Sequence, residues 1–253
     1  MNKHQGSYTA LASCYDIFTK NMDYKKRTEY LCALLSHCGV KPGETILDLA
    51  CGTGTYTYAL LRRGFDVVGV DASPDMLQIA REKAEALGIV PPLLLCQRLE
   101  SLDLYGTARA ALCLTDSLNH LTEPASVRKF FKCLALFLEP GAPFLFDVNT
   151  PYKHERILAD NAFVYEDEGV FCAWQNRWDA KTSTTEITLD IFFEENGAYT
   201  RQKERFAERA YTPEELVAWL HKAGFSVEHI YEELTHQPPG ETAERIYFVC
   251  RRK

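Results

Sequence analysis

The chain has 253 residues, 46% hydrophobic and 25% charged, which is enough for one large core or one core with an insertion. Its 28 Lys and Arg against 35 Asp and Glu give a net charge of −7, which opposes a phosphate backbone and disfavours a nucleic-acid partner. Nine cysteines stand singly with no CxxC pair, so they read as reduced core residues and no metal is called for, while no apolar run nears the ~20 residues of a membrane span. With its polar start, MNKHQGSY, the chain is expected to be cytoplasmic and without a membrane partner.

The first ~40 residues read as helical: Leu31, Leu34, Leu35 and Cys38 recur at helical spacing, and Gly39 stops the run. Strand and helix signals then alternate. The pattern predicts a strand over 45–49, a helix over 55–63 ended by Gly64, and a strand over 65–70. Ser73-Pro74, an N-cap with proline at the first helical position, opens a helix to about residue 87. Strands over 92–96 and 110–114 follow. Glu123-Pro124 opens a helix with Val127, Phe130, Phe131, Leu134, Phe137 and Leu138 inward, and a strand over 143–148 comes next. Strands this apolar, alternating with helices, predict a parallel sheet covered on both faces.

From about 162 to 209 the period changes to strand alternation. Trp174, Asn176 and Trp178 share one face, Ile187, Leu189, Ile191 and Phe193 another, and Asn196-Gly197 marks a hairpin. This is an antiparallel meander inserted into the α/β order. Thr212-Pro213 restarts a helix with Leu216, Val217 and Leu220 inward, ended by Gly224, and strands over 226–232 and 245–251 close the chain. The implied organisation is an N-terminal helical lid over 1–40, an α/β domain over 41–161 and 210–253, and an insertion over 162–209 forming a lid on the substrate side.

The chemistry concentrates in ILDLACGTGTYTYALLRRG, residues 46–64: a strand, a glycine turn and a helix start. Such a turn aims backbone N–H groups at a ligand and lets it approach closely. The dinucleotide fingerprint G-x-G-x-x-G fails, because Thr57 stands where its third small residue belongs. Asp48, before the turn, would repel a diphosphate and suits a ligand carrying a cation. The next strand ends at Asp71, about 20 residues past the glycines, where a carboxylate accepts both hydroxyls of a ribose. Ribose plus a cationic group, without phosphate, describes S-adenosylmethionine (SAM) better than NAD.

The run LDLACGTGTY…VVGVDASPDMLQIAREK closely resembles the first two motifs of class I SAM-dependent methyltransferases. The resemblance continues through QRLESLDL (97–104), LCLTDSLNHL (112–121), Tyr8…Leu11-Ala12-x-x-Tyr15-Asp16 and RAYTPEEL…AGF (209–225), and so covers roughly the whole chain. The subgroup it is most similar to is the YqeM-type small-molecule methyltransferases, relatives of the dTDP-amino-sugar N-methyltransferases and of glycine N-methyltransferase. The resemblance implies a Rossmann-like seven-stranded sheet with helices on both faces and an inserted antiparallel β meander. It further implies S-adenosyl-L-methionine as cofactor and N- or O-methylation of a small-molecule acceptor by in-line displacement; a homodimer is left open. Position by position it implies Asp48, Ala50, Gly52 and Gly54 along the methionine part, Asp71 on the ribose, Ala72 and Met76 beside the adenine, and Gln97 and Leu99 at the adenine edge. Thr115 and Asp116 would close the pocket, and Tyr15 would cover the cofactor.

Three positions depart from the family's pattern. Arg98 replaces an acid beside the adenine amine, and a guanidinium cannot accept a hydrogen bond, so a backbone carbonyl or Glu100 is expected to substitute. Arg27 stands where relatives carry Trp after the Asp23-Tyr24 pair. Ala50 replaces the first motif glycine, a change expected to be minor because alanine is small. In-line transfer needs no catalytic triad, and none is evident. His120 and His154, at strand ends, are candidate bases, and Asp116, Asn119, Asn149 and Tyr152 lie on the same loops, where they would orient a polar acceptor. The competing readings are an RNA or protein methyltransferase, a non-catalytic SAM-binding module, and an NAD-type oxidoreductase. The acidic balance and the absence of an N-P-P-Y-type motif oppose the first; Thr57 and Asp48 oppose the last.

Overall fold

The computed structural model describes residues 9–253, so Tyr8 and the rest of 1–8 lie outside the described residues. The strands in chain order are β1 (Thr45–Leu49), β2 (Asp66–Asp71), β3 (Leu93–Cys96), β4 (Ala110–Cys113), β5 (Pro143–Asn149), β6 (Ala162–Asp167), β7 (Val170–Asp179), β8 (Thr184–Glu195), β9 (Ala198–Arg209), β10 (Phe225–Glu232) and β11 (Arg245–Arg252). The helices are α1 (Thr9–Ala12), α2 (Tyr15–Phe18), α3 (Tyr24–His37), α4 (Thr55–Leu61), α5 (Pro74–Ala86), α6 (Pro124–Leu134) and α7 (Pro213–Lys222).

Seven strands form one sheet in the order β3-β2-β1-β4-β5-β11-β10, parallel except for β11, which runs antiparallel to both neighbours. The chain order reverses between β1 and β4, and a crevice opens past the carboxyl ends of the strands at such a switch point. Alternation along β1 divides the core. Leu47 and Leu49 face the side covered by α6 and α7, where Phe130, Phe131, Leu216 and Leu220 are fully buried. Ile46 faces the side covered by α3 and α4 with Leu31, Leu35 and Leu60. Each such side chain contributes about 1.5–3 kcal/mol by burial, so the sheet and its two helical layers form the rigid part of the molecule.

Local chemistry sets the helix starts. The Ser73 hydroxyl accepts from the Met76 N–H at α5, and Thr212 with Glu215 forms a reciprocal capping box at α7. The N-terminal region is helical over most of 9–37. It breaks into α1, α2 and α3, because Asp23 caps α3 by accepting from the Lys26 N–H and so cannot continue an earlier helix. Helix α6 is also shorter than its apolar period implied. It ends at Leu134, and Leu138 is buried instead by a bridge to Ala108 beside the sheet.

β6–β9 form a separate four-stranded antiparallel sheet, turned between β8 and β9 at Asn196-Gly197, both at positive φ. Its inner face, with Val170, Cys172, Ile187, Leu189 and Ile191, shares one small core with Leu11 and Cys14 of the N-terminal segment. Lys20 adds ion pairs of 2.7 and 2.6 Å to Asp167 and Glu168. Among the described residues, no helix is long and apolar enough to cross a membrane.

Candidate active site

The glycine turn follows β1 with left-handed backbone at alternate residues, Ala50 (φ 55°), Gly52 (φ 54°) and Gly54 (φ 79°). At Gly54 a Cβ would meet the Tyr58 ring at 2.8 Å, so that glycine serves the close packing of the turn on α4 and does not line the cleft. Ala50 corrects the sequence reading: the position demands glycine-like geometry, and alanine adopts it at a steric cost. Asp71 braces the turn from β2. One carboxylate oxygen accepts from the Gly52 N–H and the other from the Ser73 N–H, both at 2.8 Å.

A cleft of about 790 Å³ opens beside this turn at the β1/β4 switch. It is lined by Tyr15, Asp48, Ala50, Gly52, Asp71, Ala72, Met76, Gln97, Leu99 and Thr115, ten of the twelve expected site residues. Asp48 is 2% exposed and accepts a hydrogen bond from the Thr57 hydroxyl; burial, with Asp71 adding to it, pushes its carboxyl up to about 6. The residue that breaks the dinucleotide pattern thus positions the acid at the cleft floor. This donor set fits a nucleoside carrying a cation. A buried acid whose protein donors all come from one neutral residue, Thr57, gains from an ammonium, and no Lys or Arg among the described residues lining the cleft is buried to receive a diphosphate.

Gln97 and Arg98 act differently from their sequence reading. The Gln97 amide closes a loop with the backbone of Asp103, donating to its carbonyl and accepting from its N–H at 2.9 Å each, so only the rest of Gln97 faces the cleft. Arg98 is exposed and pairs with Glu100 at 2.7 Å, which places the Glu100 carboxylate on the cleft wall. Arg27, in place of Trp, bonds Glu233 at 2.7 Å and the Tyr247 hydroxyl at 3.2 Å, tying α3 to the end of the chain.

The N-terminal segment crosses the cleft. Asp16 accepts from the Thr53 hydroxyl at 2.8 Å and pairs with Lys83 of α5 at 2.6 Å, fastening α2 to the glycine turn. A second cavity of about 350 Å³ lies under the meander, and four residues line both: Tyr15, Thr115, His120 and Phe206. Asp116 opens onto the second cavity only. Its carboxylate receives Arg245 at 2.7 Å and the Asn149 amide at 3.0 Å. Burial works against the ionised Asp116, but the charges of Arg245 and Lys153 outweigh it and hold the carboxyl below its usual range. Asn119 is buried and spends its side chain on the backbone of Asn149 and Arg209, so it braces loops and does not orient an acceptor. His120 stands at the junction against the Phe206 ring, with burial lowering its pKa, whereas His154 is fully buried and lines neither cavity.

The sequence reading missed Asp147, Glu208 and Arg245. Asp147 accepts from the Thr115 and Asp116 N–H groups and from Arg245, fixing the loop after β4 from β5. A buried Asp inside the apolar run Phe144–Val148 was the only local signal for it.

Residues 46–141 match the methyltransferase domain family. Over 97% of its length the chain is 32% identical to the "Putative methyltransferase YqeM" of Bacillus subtilis (strain 168), of which it covers 97%. Its fold superposes with a TM-score of 0.87 and 28% identity on an S-adenosylmethionine-dependent methyltransferase from Clostridium acetobutylicum ATCC 824, covering 97% of this chain and 98% of that one. SAM-bound CalS10, an amino pentose methyltransferase from Micromonospora echinaspora, superposes over 100% of both chains with a TM-score of 0.75 at 18% identity. With the glycine turn, the acid at its floor and the strand order all in place, the chain belongs to the SAM-dependent methyltransferases of Rossmann-like fold.

Proposed function

We propose that the chain methylates an amino group of a small polar molecule held in the cavity under the meander. The observation that carries this reading is the meeting of two cavities at Tyr15, Thr115, His120 and Phe206, one suited to the cofactor and the other to an acceptor. The second cavity is lined by the acids Asp116, Glu208, Glu233 and Glu244 as well as by Arg27, Lys153 and Arg245, so it offers carboxyl oxygens that can accept from an amine. Its size admits a sugar or amino acid and excludes a folded RNA or protein surface. The resemblance to an amino pentose methyltransferase agrees with an amine acceptor.

Within the cleft, the Asp71 carboxylate would receive the ribose hydroxyls with the lone pairs left by Gly52 and Ser73. Asp48 would hold the methionine ammonium, Met76 and Leu99 would flank the adenine, and Glu100, held by Arg98, would accept from its amine. Bound SAM supplies a methyl group already activated by a sulfonium. The protein's task is to align the acceptor nitrogen with that methyl group and to exclude water. Tyr15 closes the junction from α2, with Thr115 beneath it. His120, neutral because burial lowers its pKa, takes the proton the amine loses. A screen with methyl-labelled SAM over amino sugars, simple amines, carboxylic acids and RNA tests the reading. Label on an amine is expected; transfer only to acids or RNA, or to nothing, refutes it.

A further inference from the structure

Behind the junction, side chains from three parts of the chain converge on one buried carboxyl group. Glu208 of β9 is 4% exposed, and its Oε1 lies 3.7 Å from His120 Nε2 while its Oε2 lies 3.9 Å from His154 Nε2. Both gaps are longer than a hydrogen bond. Glu208 Oε2 and His154 Nε2 are buried without a hydrogen-bond partner. An unmatched buried carboxylate oxygen and an unmatched ring nitrogen each cost about 1–3 kcal/mol, so a purely structural role would be better served by closing the gap or by apolar side chains. On its far side His154 reaches Thr185, with Nδ1 2.9 Å from the hydroxyl oxygen, and Thr185 is the cross-strand partner of Glu208.

We propose that Glu208 is the proton-holding residue of the transfer reaction: it receives, through the His120 ring, the proton that the acceptor amine loses. The proposal rests on the amine reading above. As the amine lone pair forms the N–C bond, the C–S bond breaks and its electron pair stays on sulfur. The released proton enters the His120 ring at one nitrogen and leaves from Nε2 toward Glu208 Oε1, turning the carboxylate into a neutral carboxyl. On that side the Thr185 hydroxyl donates to His154 Nδ1 and the Nε2–H faces the carboxylate that is to receive the proton.

The charged surroundings suit this role. Asp116, on the turn after β4, and burial itself favour the protonated carboxyl; Lys153, beside His154 after β5, and Arg245 of β11 oppose it, with Asn149 hydrogen bonding as well. Burial dominates and pushes Glu208 up to about 8, near the range of an α-amino group, so a proton passes from such an amine with little uphill cost. Burial lowers both histidines, His154 to about 4, which leaves the carboxyl as the place where the proton rests.

Infrared titration of the full chain bound to S-adenosylhomocysteine tests this without an acceptor. At pH 7, above the range of Asp48, a protonated-carboxyl C=O band is expected in the wild type. It should vanish near pH 8 and be missing in Glu208→Gln, whose melting temperature shows whether it folds. A band that persists in Glu208→Gln, or no band in the wild type, overturns the proposal. With the amine found by the labelled-methyl screen, Glu208→Gln should lower kcat at least tenfold and remove the rise of kcat near pH 8, while Glu208→Asp keeps the rise. An unchanged pH profile in Glu208→Gln also overturns it. A failed screen sinks the amine reading alone, because the infrared band still decides the state of Glu208.

Discussion

Replacing Asp48 by asparagine should make the empty protein more stable and the cofactor weaker. The carboxyl is buried at the cleft floor, and its pKa is raised from 3.8 to about 6. The folded state therefore binds the proton more tightly than the unfolded state. The stabilisation is complete below about pH 3.8 and is lost as pH rises through about 6, so at pH 7.5 the ionised group is a burden of about 3 kcal/mol at ~1.4 kcal/mol per pH unit. Asparagine carries no charge at any of these pH values and still accepts from the Thr57 hydroxyl. For a chain of this length ~2–4 °C per kcal/mol gives a gain of up to about 6–12 °C at pH 7.5, shrinking to nothing near pH 4. S-adenosylhomocysteine, which keeps the ammonium, should bind about 10- to 100-fold more weakly for want of a charge-assisted contact. Calorimetric melting of both proteins from pH 4 to 8, with binding titrations at pH 7.5, decides it. Equal destabilisation at both ends of the pH range would refute the burial argument, and unchanged affinity would refute the ammonium role.

Three further outcomes are expected. Asp71→Ala removes two hydrogen bonds to the Gly52 and Ser73 N–H groups together with the proposed ribose contact, so affinity for S-adenosylhomocysteine should fall at least tenfold, about 1.5 kcal/mol, by isothermal titration; unchanged affinity would remove Asp71 from the ribose. Ala50→Gly should raise stability by about 0.5–1 kcal/mol in urea denaturation, because glycine takes the left-handed geometry without strain; a loss would mean that the Ala50 methyl group contributes more to packing than its backbone strains. Arg98→Asp should leave affinity equal or tighter, since a carboxylate at this position can itself accept from the adenine amine in place of Glu100; a tenfold loss would show that Arg98, directly or through Glu100, holds the ligand.

What could be read from sequence follows how local its cause is. Ser73-Pro74, Thr212-Pro213 and Asn196-Gly197 act on their own turns, and the structure places α5, α7 and the β8–β9 hairpin where these signals put them. Asp48 and Thr57 sit nine positions apart, and the failure of the third small residue at Thr57 was legible, though not that its hydroxyl holds Asp48. Gln97 was assigned to the adenine because it lies in a motif, yet its amide is consumed by Asp103 six residues on. The group around Glu208 had no local sign. Glu208 lies in a strand of alternating charge, KERFAER, indistinguishable there from a solvated face, and becomes buried only because His120 and His154 arrive from distant loops.

The N-terminal segment through α1 and α2 packs on the meander, and this ties the two cavities together. Leu11 and Cys14 are packed into the meander's core, Lys20 is paired to its β6–β7 turn, and Asp16, between them, is fastened to Thr53 of the glycine turn and to Lys83. Tyr15 is next to Asp16 and lines both cavities. The Asp16–Lys83 pair is partly exposed and so contributes under about 1 kcal/mol, far less than the buried apolar contacts that hold α1 to the meander. In an opening of the cleft, the weaker fastening is expected to give way first. The N-terminal segment should then stay with the meander, so that Tyr15 would withdraw from the first cavity while still lining the second.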